Sequence, residues 1–261
     1  MSRRHSLRLT LLASIAAVAT ACGGTPAAPE LTDPVDILVR SAESLQGVKS
    51  FRADLALSGS INIDLMGSGA TSAFPLDNTT ATAEVDTAGG NARLTFAAPG
   101  ILGLSGELIQ VGSTTYVKTS LTGSQYSKEE SAGDLPTDAV EFSDDDLEEM
   151  RTALAKPELA PTKGDDIACG DKTCYAVVFD LTSAELAALG ADDLPTDELP
   201  ADISQASISM TVRVEKDTLR PAGVTVTADL GSEGSIELDI TLSRWDEAFS
   251  ISAPPDAEVA Q

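Results

Sequence analysis

The residues of this 261-residue chain whose types could do chemistry are three cysteines, one histidine and a large surplus of carboxylates. Cys22 stands alone near the N-terminus, whereas Cys169 and Cys174 share the stretch "IACGDKTCYAVVFDL". The single histidine is His5, so residues 22–261 contain none. Ser-His-Asp and Cys-His nucleophiles need an imidazole, and so does every His-ligated metal site. Carboxylate pairs remain, but among 41 Asp and Glu residues a chance pair carries little information. The run Asp144-Asp145-Asp146 invites a calcium reading. It lacks the Asp-x-Asp-x-Asp-Gly loop and leads straight into a helical pattern. Ser143 with Asp146 three places on reads instead as a capping box. We expect no enzyme, no metal site and no cofactor.

Cys169 and Cys174 are separated by four residues that include Gly170, Asp171 and Lys172. This suits a disulfide at the tip of a β-hairpin, in an oxidising compartment. A metal or redox pair is the rival reading; the two-residue spacing and further ligands that it wants are missing.

The chain before Cys22 gives the compartment. Arg3, Arg4 and Arg8 make a positive start, and Leu9 to Ala19 is apolar but for Thr10 and Ser14. These are the parts of a secretory signal peptide. The run is shorter than the ~20 residues that span a bilayer. The exit Ala19-Thr20-Ala21-Cys22 resembles a bacterial lipobox, which is cut before a cysteine that then carries acyl chains such as palmitate. The competing reading is an ordinary signal peptide with a chance cysteine. "SRRHSLR" also resembles a twin-arginine signal, although Ser6 stands where that motif prefers an apolar residue. The expected segments are a signal peptide over 1–21, a tether over 22–32, one domain over 33–255 and a tail over 256–261. Localisation follows: exported, and held by lipid at Cys22 to the outer face of the bacterial cytoplasmic membrane.

The first 21 residues hold three basic residues and no acid. The remaining 240 therefore carry 14 basic against 41 acidic side chains, a formal net charge of −27. Such a charge repels nucleic-acid phosphates, so a nucleic-acid partner is excluded.

Asp33 caps a helix that has Pro34 at its first position, and Val35, Leu38, Val39, Ala42 and Leu45 recur at helical spacing up to Gly47. From Phe51 to Leu65 every second residue is apolar or Gly59. That predicts one long strand, bent at the glycine, in a curved antiparallel sheet. Alternation returns at Ala81–Val85, Ala92–Phe96 and in a hairpin around Gly112-Ser113, with Tyr126 in a short edge segment. It returns again at Ile208–Val214, Val224–Leu230 and Ile236–Leu242, and Phe249 with Ile251 closes the series. Two helical inserts interrupt the strands. Leu147, Met150 and Leu154 form the apolar face of the first, and Leu186 and Leu189 belong to the second.

The order of elements, with "AESLQGVKSFRADLALSG", "STTYVKTS", "CGDKTCYAVVFDLTSAELAAL", "RPAGVTVTADL" and "LSRWDEAFSISAPPDA", resembles the actinobacterial lipoproteins of the LppX/LprG/LprA/LprF type, relatives of the LolA/LolB carriers. The resemblance implies an α+β, mainly antiparallel fold: a strongly curved half-barrel sheet with helices across its concave face. It implies a non-enzymatic, lipid-anchored envelope protein that holds a lipid, lipoglycan or other acylated ligand and helps carry or hand it over. The partners implied are that lipid or acylated glycolipid, the membrane through the acyl anchor, and an envelope protein.

Candidate lining positions, taken as a group, are Leu55, Leu57, Ile61, Ile63, Leu94, Phe96, Met210, Val212, Val224, Val226, Leu238 and Ile240. Aromatics are only 4% of the chain, and small side chains leave room for a ligand. The bland alternative is that helices and sheet pack solidly and these are ordinary core residues. An interaction protein with a filled core and an acidic docking surface would then result. "FAAPGILGLSGE" carries no charge before Glu107. Its Ile101, Leu102 and Leu104 read either as a loop at the cavity mouth or membrane, or as a hairpin connection tucked into the core.

Overall fold

The computed structural model describes residues 30–63, 71–130, 142–157, 159–182, 185 and 206–260. The signal segment, Cys22, most of the tether and the second helical insert with Leu186 and Leu189 lie outside the described residues. Thr32–Gln261 forms one compact unit. The unit is dominated by a single antiparallel sheet that is curved and unclosed.

Helix α1, Pro34–Glu43, starts where Asp33 accepts hydrogen bonds from the backbone N–H groups of Val35 and Asp36. Strand β1, Ser50–Ile63, is the long strand that the alternation predicts. It is followed by β2 (Ser72–Pro75), β3 (Thr79–Asp86), β4 (Asn91–Ala98), β5 (Leu104–Val111), β6 (Thr114–Thr119) and β7 (Ser127–Glu130). Helix α2, Asp144–Leu154, opens on the Ser143–Asp146 capping box. Then come β8 (Thr162–Lys163), β9 (Ile167–Cys169), β10 (Lys172–Thr182), β11 (Ser207–Glu215), β12 (Pro221–Asp229) and β13 (Gly234–Ser243).

The strands lie in the order β7-β6-β5-β4-β3-β1-β13-β12-β11-β10-β8, with β2 on β1 and β9 on β10. Strand β1 is the hinge of this arrangement. Its first half pairs with β3 and its last four residues pair with β2, while β13 runs along its other edge. The change of partner occurs at Gly59, whose φ is +104°. A Cβ there would collide with the carbonyl oxygen of Ser235, so the predicted bend requires glycine.

One edge of the sheet is β7, whose four residues Ser127, Lys128, Glu129 and Glu130 are all exposed. The other, β8, is only two residues long. Residues 256–260, expected as a tail, are tied to the sheet near β7: the Tyr126 N–H donates to Glu258 O at 2.8 Å, and the Ala260 N–H donates to Tyr126 O at 2.8 Å.

Helix α1 packs against β10, β11 and α2. Val39 and Ala42 are buried with Leu147 of α2, and Val35, Phe142 and Met150 pack around them. Ile37 and Ser41 are buried as well, on the other side of the helix. The apolar face expected from Val35, Val39 and Ala42 is therefore the face toward α2, and Ile37 belongs to a second one.

Phe249 and Ile251 do not extend the sheet. After β13 the chain turns at Arg244 (φ +55°) and Asp246 (φ +60°). The Trp245 ring settles 5.6 Å from Phe51.

Candidate functional site

Residues directly opposite one another in an antiparallel ladder point to the same side of the sheet. The registers therefore show which candidate residues share a face. One row across the sheet runs Phe96, Ala81, Leu55, Ile240, Val224, Val212, Val177. A second runs Leu57, Leu238, Val226, Met210, Phe179. A third brings in Leu94 with Ala83, Ala53 and Leu242. Ile61 stands on the same side of β1, opposite Phe74. Ile63 pairs with Ser72 at the end of β1; its side chain lies outside the described residues. All the candidates with described side chains thus share one apolar face. The first row crosses seven strands, roughly 29 Å at about 4.8 Å per gap.

Burial divides this face. Under the helices Val177 and Val214 are 0% exposed, and Tyr175 and Phe179 are also buried. From β11 across to β4 the candidates Met210, Val212, Val224, Val226, Leu238, Ile240, Leu57, Leu55, Leu94 and Phe96 are all half-buried. A solid core would bury them. Among the described residues they form a contiguous apolar surface that is partly open. Alanines at 53, 81 and 83 lower the middle of the face.

The opposite face is polar and largely self-neutralised. Arg213 donates to both carboxylate oxygens of Asp239 at 2.8 and 3.2 Å and to the carbonyl of Ile240 at 2.9 Å. Arg52 grips Asp54 at 2.7 and 2.8 Å, and the Thr82 hydroxyl adds 2.7 Å. These donors hold the Asp54 and Asp239 carboxyls below the usual carboxylate range, against the opposing effect of burial. The Tyr126 hydroxyl donates to Glu107 at 2.6 Å, and burial pushes its own pKa up.

Beside a concavity of about 520 Å³ at Thr95, Glu107, Lys118 and Ser120, two further ones open on this polar side. One, of about 580 Å³, is lined by Lys172, Arg213, Glu215, Arg220 and Trp245 among others. Its cations are engaged: Lys172 with Glu215 at 2.6 Å, Arg220 with Asp246 at 2.6 Å and Arg244 with Glu247 at 2.7 Å. The other, about 570 Å³, is lined by serines and threonines of the sheet together with Asp229. Neither suits an acyl chain.

Cys169 and Cys174 are disulfide-bonded across the β9–β10 hairpin, Cα to Cα 6.0 Å. Among the described residues no group of three or more His, Cys, Asp or Glu is placed to hold a metal ion, and no helix is long and apolar enough to cross a membrane.

The segment with Ile101, Leu102 and Leu104 divides. Leu104 pairs with Ala98 on the apolar face and is half-buried. Leu102 is 85% exposed and Ile101 37%. Sequence reasoning missed three contributors. Val177 and Phe179 extend the apolar rows, but β10 is buried on both sides from Cys174 to Val177, so no alternation announces it. Leu121 is 69% exposed on a turn whose sequence reads as ordinary polar loop.

No family model matches the chain, and no curated protein matches it. Among solved structures it is similar to LprF from Mycobacterium bovis, with 16% identity, 85% of this chain and 96% of that one covered, and a TM-score of 0.49. It is similar also to the lipoprotein LppX from Mycobacterium tuberculosis, with 14% identity, 84% and 98% coverage and a TM-score of 0.44. A LolA superfamily protein from Nitrosomonas europaea matches at 11% identity, 89% and 99% coverage and a TM-score of 0.26.

Proposed function

We propose that this chain is a non-enzymatic envelope lipoprotein. It is anchored through acylated Cys22 and takes an acyl chain of a lipid, lipoglycan or lipidated ligand against the apolar face of its sheet. The observation that carries the reading is the register: Leu55, Ile240, Val224 and Val212 fall in one continuous row, and none of them is fully buried. Each methylene removed from water contributes about 0.8 kcal/mol. Some ten methylenes give a gross gain of about 8 kcal/mol, which offsets a large part of the association cost. Specificity would be loose, because apolar rows recognise chain and not headgroup.

The anchor sets the range of action. The tether over residues 22–32 reaches at most roughly 36–40 Å when extended. Hand-over close to the membrane follows, rather than long-distance transport. Native mass spectrometry of Cys22→Ala protein, exported and purified without detergent, tests the ligand. Co-purifying lipid is the expected result; clean protein from several expression hosts would overturn the reading in favour of a filled core. The anchor has its own test. Metabolic acyl labelling should vanish in Cys22→Ala and the protein should leave the membrane fraction; persistent labelling refutes the lipobox.

A further inference from the structure

The large apolar residues most exposed among the described ones are Ile101, Leu102 and Leu121, and they are close together. Ile101 and Leu102 sit on the β4–β5 turn and Leu121 on the β6–β7 turn. The two turns are lashed side by side: the Ser120 N–H donates to Ser105 O at 2.7 Å, and the Ser105 N–H donates to the Ser120 hydroxyl at 3.1 Å. The same hydroxyl reaches Gly103 O at 3.3 Å.

Folding does not account for Leu102. The Leu104 N–H donates to Ile101 O at 2.8 Å, and the two central residues of that turn, Leu102 and Gly103, have φ of +52° and +66°. This is the backbone of a tight hairpin turn in which Asn, Asp or Gly is favoured at the first central place. A leucine there gains nothing from the turn and, at 85% exposure, nothing from the core. Leu121 is presented in a similar way. Its turn is closed by the Thr122 N–H donating to Thr119 O at 3.2 Å and by the paired hydroxyls of Thr119 and Thr122 at 3.0 Å.

Charge is missing from both turns. Leu94–Gly106 and Thr119–Ser127 contain no Asp, Glu, Lys or Arg, in a chain whose residues 22–261 carry −27. The nearby Asp77 turns its carboxylate to the Gly59 N–H at 3.1 Å. The neck of the tip is fixed, since Gly100 lies so close to Pro75 that a Cβ would strike the Pro75 carbonyl oxygen. The tip also adjoins the apolar face: Ala98 and Leu104 are partners in the ladder and stand on the same side as Phe96.

We propose that these two turns form a bilayer-contacting tip, with Ile101, Leu102 and Leu121 entering the interfacial region of a membrane and Leu104 joining it to the apolar face. The occupant is the lipid surface itself. A patch that is apolar, small, rigid and uncharged fits the headgroup–acyl boundary, where apolar burial alone supplies the affinity. This deepens the reading of a lipid-handling lipoprotein and rests on it: a tether of at most about 40 Å keeps the domain beside the membrane, where weak contact suffices.

The test uses exported Cys22→Ala protein, which has no acyl anchor, and sedimentation with phosphatidylcholine vesicles at millimolar lipid. The parent should co-sediment, and salt should not weaken it. Leu102→Asn and Leu121→Ser should each lower the partition coefficient about tenfold. Leu102→Asn should leave the melting temperature unchanged or raise it, since asparagine suits that turn. Equal partition of parent and double variant would overturn the proposal. So would a parent that fails to bind, or one that binds only anionic vesicles and is released by salt. A protein partner would also show itself as vesicle binding indifferent to both substitutions. Native mass spectrometry reads the bound ligand separately, so failure of the tip and failure of the lipid-binding reading are distinguishable.

Discussion

Arg213 and Asp239 illustrate how an acidic chain holds its outer face. The guanidinium is 17% exposed and the carboxylate 36%, and the Thr225 hydroxyl donates to the same carboxylate at 2.7 Å. Because the Asp239 carboxyl is held below its ordinary value, its contribution is fully present above the unfolded pKa of about 3.9. It is lost as pH falls through the lower folded value. Asp54 and Asp246 act in the same direction. Asp239→Asn is expected to cost about 1 kcal/mol at neutral pH, a figure discounted for solvent screening. The gap between variant and parent should close as pH falls through the lowered folded value of Asp239. A gap that does not change with pH would mean that packing, not charge, is what the substitution disturbs. The Arg213–Asp239 pairing is not legible in the sequence, because the two lie 26 positions apart on strands that meet only through β12; Arg52 and Asp54, two apart on one strand, are legible.

At the scale of elements, α1 stands between the sheet and α2. Its helical spacing, its Asp33 cap and the Ser143–Asp146 box of α2 can all be read directly, because capping is local chemistry. The burial of Ile37 cannot, since it depends on a second partner that the chain reaches only after Cys174. Leu147, 8% exposed in the α1–α2 cluster, should lose about 2–3 kcal/mol on change to Ala. Ser143→Ala should cost about 1 kcal/mol. Chemical denaturation measures both. If Leu147→Ala leaves the midpoint unmoved, α2 does not contribute to the stability of the unit. Strand β10 is the instructive miss among strands. Covered on both sides, it lacks the alternation that made β1 and β11 to β13 plain.

For the molecule as a whole, period-two alternation is enough to place the candidate face, because it puts Leu55, Leu94, Val212 and Ile240 on the inner side of their own strands whatever the topology. It does not tell how far that face is covered. Coverage depends on where α1 lands, over β10 and β11, and landing is a tertiary event. The cross-strand pair Leu57 and Leu238 tests the difference. Both are half-buried, so changing both to Ser should strip co-purifying lipid while moving the melting temperature by only a few degrees. A collapse of the fold with no lipid in the parent would identify ordinary core.

The margins of the sheet bear on how such a molecule behaves when crowded. An open sheet ends in two rows of unpaired amides and carbonyls, each able to accept a stranger's strand. Here one margin is Lys128, Glu129 and Glu130, all exposed, and the other is made of two short pieces, Thr162–Lys163 and Ile167–Cys169, side by side on β10. A second copy that tried to extend the ladder would have to desolvate charged side chains at the first margin and would meet only short, interrupted strands at the second. Edge-to-edge pairing between copies is therefore disfavoured.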